Sequence, residues 1–454
     1  MIIEIVTVTV TPIADTLLDP TALYFVSYDG IVNNASYQQS GIITSAGFQY
    51  TAWYTGTREV AVARRSVPAG PTGSASGWER LTVPHRLSTD DSHNTISLGI
   101  SAADGRLHIA MDTHDTPVHY LRSEAGLVTD AATRSWTAAR LGPVLRHLDG
   151  VGIGDISYPR FVPTPDNRLQ LSYRTGCSGN GQVELAEYAH GAWTKLDPWS
   201  SASGSYTANG VTSTTRNLYL HGLAYGGSGR LHATFTWREG NSGVLRDSGG
   251  LANHDTGYVY SDDHGRTWRN NSGDTVAVTG SRTRVSVTSP GLVVDPLGVD
   301  HALINQESQA IDSTGQPHAI ISYVPGRFTR CVSDFVGQRR TSGRVFHLRR
   351  DASGGWRKTE IPVPLNAFGR SRIVLDAADD AYVVLPYGRI VTAGRASDWT
   401  DWTLRFDAAA SNVFGEVVVD EQRLRSHGVL SVLYQRRSAD GTPSALRVAD
   451  FRLG

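Results

Sequence analysis

Cysteine, lysine and methionine are almost missing from this 454-residue chain, which has two of each. Two cysteines, Cys177 and Cys331, cannot make the disulfide framework of a small secreted module, and their scarcity leaves the compartment open. With Lys195 and Lys358 the only lysines among 42 basic residues, nearly every cation is a guanidinium. That group suits planar, bidentate recognition of carboxylates, although a compositional bias towards Arg explains the count equally well. No stretch approaches the roughly 18 uninterrupted apolar residues of a membrane-spanning helix. An excess of one charge is also missing: the formal net charge of −1 argues against nucleic acid or an anionic membrane as partner.

What the chain has in quantity is glycine, 47 residues, and aromatic side chains, 9% of the total. Both suit short strands joined by turns. Period-2 alternation dominates, with no long amphipathic helix. One unit recurs, a polar turn with Asp or Gly followed by an alternating strand: GFQYTAWY (47–54), ADGRLHIAMD (103–112), PDNRLQLSYR (165–174), GSGRLHATFTW (227–237), STGQPHAIISY (313–323), ADDAYVVLPY (378–387) and SHGVLSVLYQ (426–435). Seven units of roughly 65 residues, each long enough for four strands, describe a propeller better than a sandwich. The expectation is therefore an all-β, seven-bladed β-propeller of four-stranded antiparallel blades, with residues 1–454 forming a single catalytic domain.

The stretch SDDHGRTW (261–268) is a full S-x-D-x-G-x-T-W Asp-box. Its Asp is suited to capping the amides of a turn and its Trp to packing beneath the hairpin. The motif signals a fold and says nothing of catalysis. The opening MIIEIVTVTVTPIADTLLDP has alternating β-branched residues, no basic region and no A-x-A-like cleavage site, a strand pattern rather than a signal peptide. Either the chain works inside the cell or the sequence begins after processing. Ile2 to Val10 is expected to pair with Ser444 to Phe451 and close the ring, removing exposed sheet edges.

Propeller ligands sit where loops from several blades meet near the axis, so candidate residues should recur at strand ends far apart in sequence. The stretch DDSHNTISLGISAADGRLHIAMDTHDTPVHYLRS (90–123) places His93 before one strand and His114 after the next, so the two imidazoles can face one cavity. His108 and His119, inside strands beside apolar neighbours, read as packing residues. A second stretch offers Tyr158 and Arg160 before a strand and Arg174 at the end of the next. A third offers His221, Tyr225 and Arg238, with Tyr206 nearby. Strand-end capping is the bland alternative for each. No carboxylate pair stands out as glycoside hydrolysis normally requires. His, Tyr and Arg together suit β-elimination on a uronic acid: Arg pairs with the carboxylate, a His or Tyr takes the C5 proton, and a phenol or imidazole protonates the departing O4. Such a lyase needs no cofactor.

The wording and order of SHN (92–94), DTHD (112–115), SYPRF (157–161), LSYRTGCSGNG (171–181), GRLHATFTWRE (229–239) and YSDDHGRTW (260–268) resemble the BNR-repeat family of seven-bladed propellers that holds ulvan lyases and rhamnose-glucuronate lyases acting on gum arabic. The likeness runs over roughly positions 45 to 390, with GFQYTAWY and HNTISLGI closer to the rhamnose-glucuronate lyases. It implies cleavage of the α-L-rhamnose-(1→4)-D-glucuronic acid linkage to a 4,5-unsaturated glucuronate, on arabinogalactan side chains or ulvan. His93 and His114 match the family's paired histidines, Tyr158 its acid/base tyrosine and Arg174 its carboxylate-neutralising arginine. The division of labour assigned here is Tyr158 with His93 for proton transfer and Arg174 with His114 for charge and positioning. Arg160, Tyr206, His221, Tyr225 and Arg238 are assigned to substrate subsites. The resemblance also implies secretion, a monomer, a rhamnose- and glucuronate-containing polysaccharide as partner, and a structural metal ion. For that ion, His301, His318, Cys331 and His347 offer a set suited to zinc, calcium being the alternative, although a buried thiol and three hydrogen-bonded strand histidines is the simpler reading. An α-L-rhamnosidase on the same linkage and a noncatalytic carbohydrate-binding propeller are the competing functions. A sialidase lacks its arginine triad here.

Overall fold

A computed structural model describes residues 8–28, 30–37 and 40–454. Its strands hydrogen-bond into seven antiparallel sheets arranged as a β-propeller, six with four or more strands and one with three. The seven repeat units each fall in a different sheet and always supply an interior strand, paired on both sides: Phe48–Tyr54, Arg106–Met111, Leu169–Cys177, Leu231–Glu239, Pro317–Tyr323, Ala381–Leu385 and Val429–Gln435. The expected uniform set of seven four-stranded blades is corrected to six blades of four or more strands and a smaller sheet. The three-stranded sheet, built on Ser97–Ser101, Arg106–Met111 and His119–Arg122, carries only isolated bridges, Tyr120 to Leu145 and Ser123 to Leu141, where an outer strand would lie. A larger sheet instead gains a hairpin, Ser203–Ala208 with Val211–Tyr225. The described helices are short, Phe335–Ser342 and Glu421–His427 the longest, and none is long and apolar enough to cross a membrane.

Apolar residues from facing sheets fill the gaps between blades. Trp53, Ala61, Leu433 and Val448, for instance, pack together where the first and last sheets meet. The ring closes with Val10–Ala22 alongside Ser444–Leu453. The closing strand thus starts where the expected one ended, and Ile2 to Thr7 lie outside the described residues. Pro12 and Pro20 do not stop it, because an outermost strand has one side that needs no N–H donors. Asp19, buried on this strand, accepts a hydrogen bond from Trp53 Nε1 at 2.8 Å.

The Asp-box folds as its sequence requires. Asp263 Oδ1 accepts from the amides of Arg266 and Thr267 (3.1 and 2.7 Å) and from Ser261 Oγ (2.7 Å). Trp268, fully buried, stacks on Trp199 at 4.2 Å. Gly265 has φ +79°, and a Cβ there would lie 2.7 Å from Leu185. The same device recurs without the full motif: Asp312, Asp351 and Asp376 each accept from two amides of their own turn. These turns join first to second or third to fourth strands, so they share one face of the propeller. Asp263→Ala should lower stability by about 1–3 kcal/mol through amides left without their acceptor, read as a fall in the denaturation midpoint.

Candidate active site

Chemistry collects on the other face, where the chain enters the first strand of each sheet and leaves the second. His93 precedes Ser97–Ser101, and His114 follows Arg106–Met111. Tyr158 lies near the start of Asp155–Pro163, with Arg174 on the next strand as the register partner of Ser157. Tyr37 precedes Ile42–Ser45, Arg370 precedes Arg372–Leu375, and Glu416 precedes Val418–Val419. Repetition of one blade topology therefore brings together residues hundreds of positions apart.

The four residues assigned to catalysis lie side by side. The His93 and His114 rings stack at 4.4 Å with 15° between planes, and Tyr158 lies 5.8 and 5.4 Å from them. The Arg174 guanidinium sits 5.2 Å from the centre of the Tyr158 ring. It donates to Tyr219 OH (3.3 Å), Ser157 Oγ (2.7 Å) and Asp115. Tyr158 has φ +56° at an irregularity in pairing between Ser157 and Arg160. The following Pro159 disfavours the right-handed helical alternative. A non-glycine residue held in the left-handed region costs on the order of 1–3 kcal/mol and persists only where surrounding contacts enforce it. Here Tyr37, Tyr219, both histidines and Arg174 enclose the ring.

Asp91 organises the pair of imidazoles and escaped the sequence reading. Its Oδ1 contacts His93 Nδ1 at 2.5 Å and its Oδ2 contacts His114 Nδ1 at 2.8 Å. A carboxylate accepting from both Nδ1–H groups leaves each Nε2 with a free lone pair. Burial opposes ionisation of Asp91, but the hydrogen bonds from His114 and His93 outweigh it and hold its carboxyl far below the usual range. Burial also lowers the pKa of His93, which Asp91 only partly restores, so the ring stays neutral into mildly acidic solution. Tyr158 moves the other way: burial, reinforced by Tyr219, pushes its phenol well above its ordinary value, with Arg174 opposing. The result is a neutral imidazole beside a fully protonated phenol.

Arg370 is a second guanidinium that the sequence reading missed. It lies 4.4 Å from the centre of the Tyr37 ring and is held by Glu416 (3.0 Å) and Asn305. Tyr37 in turn stacks on His93 at 4.6 Å, and exposed Tyr28 meets the same imidazole at 4.7 Å. For Asp91 a signal existed, an acid two positions before a candidate histidine. For Arg370 it was strand-entry placement, shared with Tyr158. Nothing singled out Tyr37 or Tyr219 among the aromatics.

The subsite assignments divide. Tyr206, on the added hairpin, stacks on His254 at 3.7 Å, and Arg238 lies at the same end of its sheet, opposite Asn217. His221 is buried along the axis, its Nδ1 accepting from the Glu307 amide at 3.2 Å. Tyr225 does not reach the site. It ends Val211–Tyr225 on the Asp-turn face, donating to Gln170 Oε1 at 2.8 Å, and with Arg160 it lines a cavity of about 200 Å³ at that end. Arg160 also borders the space beside Tyr158. The proposed metal ligands do not converge. His318 Nδ1 and His347 Nε2 are 2.9 Å apart beside Asp312, whereas His301 meets Val324 O past the other end of Pro317–Tyr323 and Cys331 lies near Asp300. His318 and His347 thus bond to each other at one end of the blade, while His301 and Cys331 lie at the other. Two other groups of potential ligands occur among the described residues, Asp91 with His93 and His114, and His85 with Asp112 and His119.

Among known proteins, an ulvan lyase, long isoform, from Alteromonas sp. is 24% identical over 53% of this chain and 27% of its own length. A short isoform from Alteromonas sp. (strain LOR) is 23% identical over 50% of this chain and 49% of its own. The chain thus spans about a quarter to a half of the length of these relatives. In overall structure it resembles the polysaccharide lyase Uly1, with a TM-score of 0.71 and 17% identity over 97% of this chain and 99% of that one. It also resembles a PL25 ulvan lyase solved with -[GlcA(1-4)Rha3S]- bound, with a TM-score of 0.61 and 13% identity over 95% of each chain. The BNR repeat-containing family matches residues 48–363, well over half of the sequence, and this protein belongs to that family.

Proposed function

We propose that this propeller is a polysaccharide lyase that breaks the α-L-rhamnose-(1→4)-D-glucuronic acid linkage by β-elimination. The observation that carries the reading is the doubly hydrogen-bonded Asp91, which takes both Nδ1–H groups and leaves two imidazole Nε2 lone pairs on rings that lie beside the protonated phenol of Tyr158. In this scheme His93 Nε2 removes the C5 proton of glucuronate. The electrons left on C5 delocalise into the carboxyl group, under the positive field of Arg174 and Arg370. They then form the C4=C5 double bond as the C4–O4 bond breaks, and the Tyr158 hydroxyl protonates O4. The proton on His93 returns to the Tyr158 phenolate through solvent, so the net change is transfer of one proton from C5 to O4. In this reading His114 holds the sugar, and Tyr28, Tyr206 and Arg238 extend the binding surface. The sequence likeness to ulvan lyases supports the reaction class, and the motif wording favours arabinogalactan side chains over ulvan. In this reading the enzyme works outside the cell on its polymer, as a monomer. We count the three-stranded sheet as a seventh, reduced blade.

Incubation with gum arabic and with ulvan in parallel, following ultraviolet absorbance and released sugars, tests the proposal. A rise in absorbance from the unsaturated uronate is expected, larger on gum arabic. Rhamnose release without absorbance would make the protein a rhamnosidase, and retention of glycan without turnover a binding propeller.

Asp91→Asn should reduce the maximal rate by about 10²-fold, the order of loss when a catalytic group is misplaced by roughly 1 Å. An amide cannot accept from both imidazoles with a full charge. Activity needs neutral His93, whose pKa is already below that of an ordinary histidine, so the wild-type rate should persist into mildly acidic solution. Because Asp91 raises that pKa, its loss should move the acidic limb of the pH–rate profile further down. An unchanged profile would remove Asp91 from this role.

A further inference from the structure

A second histidine cluster stands beside the active-site loop, and the elimination scheme does not use it. His85 lies on Glu79–Arg86, the outermost strand of the first sheet, while Asp112 and His119 belong to the neighbouring three-stranded sheet and its loop. One donor atom from each residue lies within 4.8 Å of the others. His85 Nε2 is 2.9 Å from Asp112 Oδ2, and the two imidazole rings are 4.5 Å apart. The Asp112 side chain is fully buried, and His85 is 15% exposed.

The supporting contacts orient these donors. His119 Nδ1 lies 2.7 Å from the Asp112 carbonyl oxygen. A proton donated there fixes the tautomer and leaves Nε2 with its lone pair, the arrangement in which a histidine ligates a metal. Ser88 donates to Asp112 through both its amide (3.1 Å) and its hydroxyl (2.9 Å), holding the carboxylate in place. Asp112 itself has φ +46°, a conformation that turns its side chain and its carbonyl towards the two histidines. The exposed Arg146 guanidinium, 3.4 Å from His119 Nε2, is free to swing into solvent when a cation enters.

We propose that His85 Nε2, Asp112 Oδ2 and His119 Nε2 bind a divalent cation of the zinc class, with water as fourth ligand. Two imidazoles and one carboxylate suit Zn²⁺ and its borderline neighbours better than Ca²⁺, which prefers an all-oxygen shell. The bound ion ties the outer strand of the first sheet to the loop Asp112 to Asp115. That loop carries His114, so the site acts as a clasp that positions the active-site histidine without touching substrate.

The test uses the whole protein, stripped with a chelator and titrated with Zn²⁺ against a chromophoric competitor, with metal content counted by mass spectrometry. One equivalent per chain is expected, together with a melting temperature raised by several degrees. His85→Ala/His119→Ala should lose both effects, whereas His93→Ala/His114→Ala should keep them. Asp112→Asn, which preserves side-chain shape, serves if the first double variant fails to fold and should weaken uptake at least tenfold. No uptake by the wild type, or uptake retained without the two clasp histidines, overturns the proposal. Uptake lost with His93 and His114 instead would move the ion to Asp91 and equally overturn it.

Discussion

Tyr158→Phe should lower the elimination rate by about 10²–10⁴-fold, the usual contribution of a positioned proton donor, while the protein stays folded. Phenylalanine keeps the ring that Tyr37, Tyr219, His93 and His114 surround and that Arg174 covers. Only the hydroxyl is lost. The effect belongs on kcat rather than KM, because in the proposed scheme Tyr158 acts on the departing O4 in the transition state and supplies little of the ground-state binding. Burial keeps this phenol protonated far above neutrality, so the wild-type rate should not fall in the alkaline range where an exposed tyrosine would ionise. Ultraviolet absorbance of the unsaturated product measures both quantities, and calorimetric binding of a glucuronate-containing oligosaccharide verifies that the variant still takes up substrate. Turnover within a few-fold of wild type would exclude Tyr158 as the acid and direct attention to His114.

The separation of labour between the two faces explains what the sequence disclosed. Turn chemistry is local: in the Asp-box, Ser261 and Asp263 make their hydrogen bonds within the motif itself, so those contacts were legible before any fold was known. One interior strand of every sheet was legible for a similar reason, since each follows a polar turn or a glycine. His93, His114, Tyr158 and Arg174 stood out because each occupies a strand end next to a polar loop. Asp91 and Arg370 act through partners supplied by neighbouring blades or by an adjacent loop, and their importance emerges only once the ring brings those partners together. The expected zinc set failed because residue type was counted without level along the strand: His318 and His301 flank opposite ends of Pro317–Tyr323. The closing strand begins at Val10, where the expected one ended, and runs on through Pro12 because an outermost strand tolerates proline.

Asp450→Ala should destabilise the protein by about 3–5 kcal/mol, the cost of breaking a buried ion pair by removing one partner. Asp450, on the strand Ser444–Leu453, accepts from Arg65 Nη2 through both oxygens at 3.0 and 2.8 Å and from Arg423 Nη1 at 2.6 Å. All three side chains are at most 3% exposed. Arg65 comes from the first sheet and Arg423 from the helix Glu421–His427, so one carboxylate joins the beginning of the ring to its end. Burial already lowers the pKa of Arg65, and Asp450 is the main group opposing it; without that carboxylate two guanidiniums face each other in a dry interface. A network of this type is expensive to assemble, so replacing the whole cluster with apolar residues need not weaken the protein, whereas losing the acid alone must. The combined change Arg65→Leu/Asp450→Leu should therefore cost less than the sum of its two single changes, a positive coupling measurable in a double-mutant cycle. Local opening should precede global unfolding, and in Asp450→Ala hydrogen exchange should accelerate first along Val10–Ala22 and Ser444–Leu453, the strands whose pairing closes the ring. A denaturation midpoint equal to wild type, or faster exchange confined to blades far from the closure, would show that apolar packing around Trp53 and Leu433 holds the ring without help from these charges.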